Sequence, residues 1–514
     1  MSPKNIAFGV IITGVLLLGG LKVFSVKQDS SLTTATSDAG SMKESISIGI
    51  DSWVGYYMLC SKNYRASMRN IGIRTTCVND NADIETRLKK LKSGELEFAV
   101  ATIDAYVALG EDFKYPGTIV AVIDESKGGD ALVAVEDVVD SIDDLKNNPS
   151  LRVALTKDSP SEHLVRALAV HFDVKNFKSR GSWLVPSNGS ADALSKLTSN
   201  EVDAAVLWEP DVTKALQKKG LKKIIGTEDT EKLIVDVLLV NRAFASKKPE
   251  VVNDVIKTYF KSLKFYNDNP DNLLKELAKE TGLKTGAVQS MLKGVKWTSL
   301  TENAFDWFST VGNSTNKYFL IEAIESSLHI LNETSVTQGN PLPNNDPYAI
   351  TQSKFIDNAF QELIGSANIG NTTSTKKTNK LRALTESQWN KLRNVGTLKV
   401  RKVQFSSSSS ILSLETKRQL DKAAQDLSHY PNFRILIKGH TAPQGNEDAN
   451  KALSFDRADA VLRYLKITHG INANRMLAVG VGSDEPLAKL KGEKSRAYKY
   501  RLPRVELVLK SGEI

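Results

Sequence analysis

The sequence predicts an α/β protein with two folded regions, preceded by a segment able to cross a membrane. Three observations lead to this prediction. An apolar segment runs from Ile6 to Leu21, and short apolar strands then alternate with amphipathic helices over residues 45–364. A polar stretch, residues 365–380, separates this region from a last one, residues 381–514. With 514 residues, 41% of them hydrophobic, the chain is long enough for each region to bury its own core.

The N-terminal segment, residues 1–27, is predicted to be an uncleaved transmembrane signal anchor. It follows Lys4 and provides about 20 membrane-compatible residues, enough to span a bilayer. Its end lacks the small residues of a cleavage site, and a cleaved signal peptide is the alternative. The sequence therefore predicts an inner-membrane protein with periplasmic domains, in which residues 28–44 form a polar linker.

The composition argues against several classes of protein. The net charge of +9 favours anionic partners, but no block of Lys and Arg interleaved with aromatic residues indicates nucleic-acid binding. The six histidines have no metal-ligand spacing, and no nucleophile elbow or phosphate-binding loop occurs. We expect no metal, no cofactor and no enzymatic activity.

The strand candidates of residues 45–364 are short and apolar, and helices fill the intervals between them. Such alternation is typical of parallel sheets covered on both faces. The predicted strands are Ile46–Ile50, Ile73–Val78, Phe98–Ala101, Thr118–Ile123, Ala131–Val135, Arg152–Leu155 and Ala204–Leu207. Cys60 and Cys77 lie near the first two of them; they form either a disulfide or two small buried side chains.

Several sequence segments of this region carry a resemblance to a known family. They are Gly49, Asp51, Trp53, Gly55 and Tyr56 after the first strand, the segment LKSGELEFA from residue 91, and the segment ADALSKLTSNEVDAAVLWEP from residue 191. With them, the region resembles periplasmic substrate-binding proteins of the nitrate, sulfonate and taurine (NitT/TauT-like) ABC transporter class. The resemblance implies a two-lobed type II fold with a hinge and a small anionic or zwitterionic solute in the cleft.

Hydroxyl residues follow the strands of this region at the starts of predicted helices. Thr102, Ser159, Ser161 and Ser190 are candidate ligand-binding residues, because helix N-termini offer free N–H groups to an anion. Ser159 also begins a capping-box pattern with proline at the first helical position, a purely structural alternative.

Trp53 and Glu209 are two further candidates for contact with a solute. The indole of Trp53 follows the first strand and forms either a cleft wall or part of the core. Glu209 lies at the end of an apolar strand and either accepts a hydrogen bond from the solute or serves as a hinge or surface carboxylate.

The last region, residues 381–514, resembles the OmpA-like peptidoglycan-associated domain, an α+β fold. The matching residues are Phe433, Ile435, Ile437, Gly439, His440 and Thr441 on a strand, Asn450, Leu453, Ser454, Arg457 and Ala458 on a helix, and Arg504, Val505 and Glu506 on a last strand. Val403 to Phe405 is predicted as the opening strand of the domain.

The resemblance implies that Asn450 and Arg457 bind peptidoglycan, with the Arg457 guanidinium on a carboxylate of the cell-wall peptide. The alternative role for Arg457 is that of a cation on the helix surface or of a partner in an intradomain ion pair. The family has an aspartate where this chain has Ala442, and Glu447 or Asp448 in the same loop is a candidate replacement.

Together these features lead to a functional hypothesis. The chain is expected to be a membrane-anchored, solute-binding protein whose partners are a small-molecule solute, peptidoglycan, the inner membrane and an ABC transporter permease. The alternative is an envelope scaffold or signalling protein whose two-lobed region docks a protein partner.

Overall fold

The structure is a computed structural model that describes residues 42–148, 150–310, 318–363, 381–399, 403, 405 and 409–512. Three sheets organise these residues. Two of them form the lobes of the N-terminal module, and the third lies in the C-terminal domain. The predicted anchor, residues 1–27, and the predicted linker, residues 365–380, lie outside the described residues. Within the described part, no helix is both long and apolar enough to cross a bilayer.

The first lobe contains a six-stranded sheet with the strand order β11-β4-β10-β3-β1-β2. Its members are β1 (Glu44–Ile50), β2 (Ile73–Asn79), β3 (Phe98–Thr102), β4 (Gly117–Ser126), β10 (Val235–Asn241) and β11 (Val295–Trp297). β1 pairs parallel with β2 and β3, whereas β10 runs antiparallel to both β3 and β4.

The second lobe contains a five-stranded sheet with the order β7-β6-β8-β5-β9. Its members are β5 (Asp130–Val135), β6 (Val153–Leu155), β7 (Leu184–Pro186), β8 (Ala204–Trp208) and β9 (Leu221–Gly226). β5 runs antiparallel to β8 and β9. The two lobes thus share one arrangement. In each sheet, the strand that enters from the other lobe (β10 or β5) pairs antiparallel with the end of a set of three parallel strands.

The chain crosses between the lobes twice, at residues 127–129 and 227–234. The strands that follow these crossings, β5 and β10, enter their sheets in the antiparallel direction. The prediction of parallel sheets is therefore correct only for the three parallel strands of each sheet, and each sheet as a whole is mixed. All seven predicted strands are otherwise present, with ends within two or three residues of the prediction.

Helices cover the sheets and carry the expected end signals. Helix α6 begins at Pro160, and Ser159 caps it by accepting a hydrogen bond from the Ser161 N–H. The helices of the N-terminal module are α1 (Tyr57–Cys60), α2 (Lys62–Asn70), α3 (Ile84–Ser93), α4 (Ile103–Leu109), α5 (Ile142–Asn147), α6 (Pro160–His171), α7 (Ser190–Thr198), α8 (Asp211–Leu216), α9 (Arg242–Lys247), α10 (Pro249–Asp268), α11 (Pro270–Thr281), α12 (Thr285–Leu292), α13 (Leu300–Glu302), α14 (Phe319–Glu333) and α15 (Lys354–Leu363).

Cys60 and Cys77 form a disulfide, with their Cα atoms 6.2 Å apart. Cys60 ends α1 and Cys77 lies in β2, so the bond ties a helix to an edge strand of the first lobe. Of the two alternatives that the sequence left open, the disulfide is the one found.

The C-terminal domain contains a four-stranded sheet with the order β12-β15-β13-β14. Its strands are β12 (Arg393–Thr397), β13 (Arg434–His440), β14 (Met476–Gly482) and β15 (Arg504–Ser511), and its helices are α16 (Glu386–Lys391), α17 (Leu414–Ser428), α18 (Glu447–His469) and α19 (Ser495–Arg501). The predicted opening strand at 403–405 falls partly outside the described residues. The edge strand beside β15 is instead β12.

Helix α18 lies unusually close to the backbone of β13 and β14. A Cβ atom on Gly439 would come within 1.9 Å of the Ser454 carbonyl oxygen, and one on Gly480 within 2.4 Å of the Lys451 carbonyl oxygen. Only glycine permits this approach at both positions. The two glycines therefore set the distance between the helix and the sheet.

The apolar core continues from the second lobe into the C-terminal domain. Phe172, which follows α6, and Tyr430, which follows α17, are fully buried with ring centroids 5.4 Å apart. The Tyr430 hydroxyl lies 2.6 Å from Nδ1 of His171. The sequence predicted two folded regions, each burying a core of its own, and the structure adds that apolar side chains of the two regions also pack against each other.

His429 connects the C-terminal domain to the hinge and to the first lobe. Its Nδ1 donates to the Glu231 carbonyl oxygen (3.0 Å) in the second crossing segment, and its Nε2 accepts from the Ser326 hydroxyl (2.9 Å) on α14. This tautomer follows from the hydrogen-bond partners. Its ring also stacks on that of His171, with centroids 5.5 Å apart. The C-terminal domain therefore contacts both lobes at once.

Candidate functional site

A narrow cavity lies between the two lobes, beside the crossing segments. The residues that line it are Asp51, Trp53, Tyr56, Ala82, Ile84, Thr102, Asp130, Pro160, Trp208, Ile234 and Asp236. Only about 20 Å³ is open to the centre of a water molecule, which is room for one or two waters. The lobes are thus closed on each other in this structure, and a solute larger than water requires them to open.

Strand register brings the polar side chains of the cavity together. In the first lobe, Asp236 of β10 is the cross-strand neighbour of Asp124 on β4 and of Thr102 on β3. In the second lobe, Asp130 of β5 is the neighbour of Trp208 on β8. Cross-strand neighbours project from the same face of a sheet, so each lobe presents one polar row to the cleft.

The guanidinium of Arg87 forms ion pairs with carboxylates on the first-lobe side of the cavity. Nη2 of Arg87, which is fully buried, lies 3.0 Å from Asp51, and the same nitrogen also contacts Asp80. In the described part of the chain, no Lys, Arg or His forms an ion pair with Asp124, Asp130 or Asp236. A fully buried pair of this kind is costly to break, because removal of one partner leaves the other charged and desolvated.

Burial raises the pKa values of three carboxyl groups around the cavity. Desolvation is the first cause for Asp124, Asp130 and Asp236, and the neighbouring carboxylates raise them further. The pKa of Asp130 rises to about 7. The pKa of Asp124 likewise rises to about 7, so near neutral pH Asp124 and Asp130 lie between the acid and the carboxylate, whereas the pKa of Asp236 is raised well above its ordinary value by burial.

Trp53 forms the wall that faces the hinge. Its Nε1 donates to Asp124 (3.1 Å), and its backbone N–H donates to Asp51 (2.9 Å). A Cβ atom on Gly129, in the first crossing segment, would come within 2.1 Å of the Trp53 ring. Glycine is required there because the indole lies directly against the hinge backbone.

Several buried polar atoms of the cleft region have no hydrogen-bond partner. Among them, the Thr102 hydroxyl belongs to a side chain that lines the cavity and is only 2% exposed. The Ser161 hydroxyl at the start of α6 is likewise buried without a partner. Unsatisfied buried polar atoms are rare in folded proteins, so these two hydroxyls are unused hydrogen-bonding groups of the cleft region.

The structure places the predicted ligand-binding residues in two groups. Trp53 and Thr102 line the cavity, and Ser161 follows Pro160, which also lines it. Ser159 instead caps α6. Ser190 exchanges hydrogen bonds with the Trp208 backbone, and Glu209 accepts from the Thr213 N–H and hydroxyl at the start of α8. The side chains of Ser159, Ser190 and Glu209 therefore form hydrogen bonds within the protein.

Sequence reasoning did not select Asp51, Tyr56, Asp130, Trp208 or Asp236 as ligand-binding residues. Two of them carry a signal that was available. Asp236 interrupts the apolar run IVDVLLV, and Asp130 directly precedes the apolar strand ALVAV. An acidic residue within or beside a buried strand is costly unless it has a partner, so each marks a candidate site.

In the C-terminal domain, Arg457 is 4% exposed and projects from α18. Its Nε donates to the Ser409 carbonyl oxygen (3.0 Å), and its guanidinium lies over the Phe405 ring. Asn450 donates to the Gln444 carbonyl oxygen (2.9 Å) and so holds the loop before α18. Near the end of β13, His440 and Thr441 are buried with side-chain polar atoms that lack hydrogen-bond partners.

Solved structures with low sequence identity resemble the N-terminal module. A sulfonate-binding protein from Methylobacillus flagellatus is 15% identical, and the alignment covers 63% of this chain and 95% of the other, with a TM-score of 0.48. The nitrate-binding protein of Synechocystis is 11% identical, with coverages of 62% and 89% and a TM-score of 0.48. The desulfurization enzyme DszB is 12% identical, with coverages of 62% and 99% and a TM-score of 0.43.

Residues 404–500 match the OmpA family model. A peptidoglycan-associated lipoprotein from Rhizobium meliloti is 34% identical over 87 residues, 17% of this chain and 49% of the relative. Outer membrane protein Omp38 from Acinetobacter baumannii is 33% identical over 101 residues, 20% of this chain and 28% of that protein. The chain thus spans about half or less of the relatives it matches. The chain combines a two-lobed α/β module with a C-terminal region in which residues 404–500 match the OmpA family model.

Proposed function

We propose that this chain binds a small solute between its two lobes in the periplasm and is held at the cell wall by its OmpA domain. In this proposal residues 1–27 anchor it in the inner membrane. The observation that carries the proposal is the interlobe cavity. Both lobes contribute buried polar side chains to it, and the chain crosses beside it twice, so that opening and closure are hinge motions.

Of the two expected solute classes, a zwitterion suits this cavity better than a simple anion. Carboxyl groups of Asp51, Asp130 and Asp236 line the cavity, whereas no Lys, Arg or His is among the described residues that line it. A simple anion such as nitrate would meet like charge there. A zwitterion brings a positive group to the carboxylates, while the Thr102 hydroxyl accommodates its other end.

Solute binding is tested by a thermal-shift screen of nitrate, taurine, alkanesulfonates and phosphate on the full chain. A solute that binds only the folded state raises the melting temperature, by an amount that grows with the logarithm of its concentration relative to its Kd. Thr102→Val removes a hydroxyl that has no partner, so we expect it to leave the melting temperature of the free protein unchanged. The variant should also bind any solute found in the screen with lower affinity. Unaltered affinity in this variant would reject the cleft as the site.

Attachment to the wall is proposed to depend on Arg457. Burial lowers the pKa of its guanidinium without removing its charge, and the Phe405 ring and the Ser409 carbonyl hold it in place. A guanidinium fixed in this way can bind a carboxylate of the cell-wall peptide through two parallel hydrogen bonds. Ala442 supplies no charge in the adjoining loop, so Arg457 carries more of the proposed affinity.

Retention on purified cell-wall sacculi tests this role. We expect Arg457→Ala to weaken binding about tenfold or more, because one charge-assisted contact is lost. Arg463→Ala on the same helix is the matched control, since the Arg463 side chain is 62% exposed. Equal retention of both variants would show that Arg457 does not contact the wall.

The narrow closed cleft is the one observation that favours the alternative, a scaffold that docks a protein partner. A cavity with room for one or two waters is what a module that no longer opens would have. Absence of stabilisation by every solute, together with a stable protein partner recovered with the full chain, would favour the scaffold.

A further inference from the structure

The charges around the interlobe cavity are not balanced. Four aspartates surround it, namely Asp51, Asp124, Asp130 and Asp236. Burial, and then the charges of neighbouring carboxylates, raise the pKa values of Asp124, Asp130 and Asp236. Among the residues that the structure describes, the one cationic side chain paired with any of these aspartates is Arg87, which contacts both Asp51 and Asp80. Three of the four therefore have no positive partner within the described part of the chain.

Closure of the lobes increases this imbalance. Asp236 and Asp51 belong to the first lobe, whereas Asp130 is the first residue of β5 in the second. When the lobes come together, carboxylates from both sides share one desolvated space. Like charges in such a space repel strongly, so a closed cleft requires either protons or a positively charged guest.

The walls of the cavity suit an organic cation. Trp53, Tyr56 and Trp208 contribute aromatic surface, with Trp208 from the second lobe and the other two from the first. Aromatic faces attract cations and stack on planar nitrogen groups. The Thr102 hydroxyl is buried on the same wall without a hydrogen-bond partner, so the wall also offers an unused hydrogen-bonding group.

The arrangement does not suit a single metal ion. Among the described residues, no group of three His, Cys, Asp or Glu side chains lies close enough together to hold one. The carboxylates are spread along two strand rows, one in each lobe, and match several N–H donors or a diffuse positive charge better than one small ion.

We infer that the solute of this protein carries a positively charged nitrogen group, such as an amine, an amidine or a protonated nitrogen heterocycle. Asp130 and Asp236 hold that group between the aromatic walls formed by Trp53, Tyr56 and Trp208. The inference rests on the proposed solute-binding function. It also explains why the lobes close on the solute, because the positively charged group neutralises carboxylates contributed by both lobes.

The test compares charged molecules with uncharged ones of the same shape on the full chain. The pairs are benzamidine and benzamide, choline and neohexyl alcohol, and putrescine and butanediol, with nitrate and methanesulfonate as anions. We expect at least one cation to raise the melting temperature while its uncharged counterpart does not. Calorimetric titration then gives the affinity of that cation.

Two variants assign the effect to the cleft. Asp130→Asn and Asp236→Asn each remove one charge and keep the shape of the side chain. We expect each variant to lower the affinity for the cation about tenfold or more, because a charge-assisted contact is lost. Asp112→Asn is the matched control, because Asp112 lies on an exposed turn of the first lobe, and it should leave the affinity unchanged.

The possible outcomes separate this inference from the proposed function. Stabilisation by anions alone, or by a cation whose affinity is the same in both cleft variants, overturns the inference but leaves solute binding intact. Absence of stabilisation by every molecule of the panel counts against the inference and against solute binding together.

Discussion

Asp130→Asn is expected to stabilise the solute-free protein by about 2 to 4 kcal/mol at pH 8. Burial, followed by the charges of neighbouring carboxylates, raises the pKa of Asp130 from 3.8 to about 7. Each pKa unit corresponds to about 1.4 kcal/mol, so ionisation in the folded state costs up to about 4 kcal/mol. The amide avoids this cost, although its own burial reduces the gain.

The gain depends on pH in a defined direction. Below about pH 4 the carboxyl group is protonated in both the folded and unfolded states, so it contributes no pH-dependent difference. Between pH 4 and 7 the folded state retains a proton that the unfolded state has lost, and wild-type stability falls as the pH rises. Above pH 7 the loss is complete, so the advantage of the variant should be constant there.

Urea denaturation at pH 5 and at pH 8 measures this effect. The difference in unfolding free energy between Asp130→Asn and wild type should be larger at pH 8 by roughly 2 to 3 kcal/mol. The exposed Asp112→Asn control should differ from wild type equally at both values. A gain that does not grow with pH would mean that Asp130 is ionised at no cost, and the unbalanced charge in the cleft would be disproved.

Tyr430→Ala is expected to destabilise the protein by about 3 to 5 kcal/mol. The ring is fully buried, contacts Phe172 of the second lobe, and bonds His171 through its hydroxyl. Replacing a large buried side chain by alanine leaves a cavity and removes these contacts. Tyr430→Phe, which removes only the hydroxyl, should cost about 1 to 2 kcal/mol.

A double-mutant cycle separates the contact between the second lobe and the C-terminal domain from packing within the C-terminal domain. The cycle compares the loss of unfolding free energy in the double mutant with the summed losses of Phe172→Ala and Tyr430→Ala. If the two rings interact in solution, these values differ by more than about 0.5 kcal/mol. Tyr500→Ala, at a side chain that is 66% exposed, is the control with little expected cost. Strict additivity would mean that the two domains do not pack together in solution.

Most of the secondary structure was predictable because it depends on local pattern. The strand Phe98–Thr102 is a continuous apolar run, and α6 begins where serine, proline and glutamate follow one another. The antiparallel direction of β5 and β10 was not predictable. It results from the two crossings between lobes, which bring strands in from the opposite side, and no local pattern records that path.

The candidate site was predictable in part. Trp53 and Thr102 follow strands at the edge where clefts form, and their position alone predicted a role. Ser190 and Glu209 fit the same pattern, but their side chains bond the protein itself. Whether a polar side chain remains available to a solute depends on the hydrogen bonds it forms with other parts of the fold, and its position in the chain does not reveal them.

The sequence by itself determined the two kinds of fold and their order along the chain, because hydrophobic period and glycine positions act within a few residues. Only the tertiary structure decided that Asp124, Asp130 and Asp236 meet around one cavity and that the C-terminal domain packs on both lobes. Both outcomes depend on contacts between residues far apart in the chain, and neither strand register nor the packing of separate cores leaves a local trace.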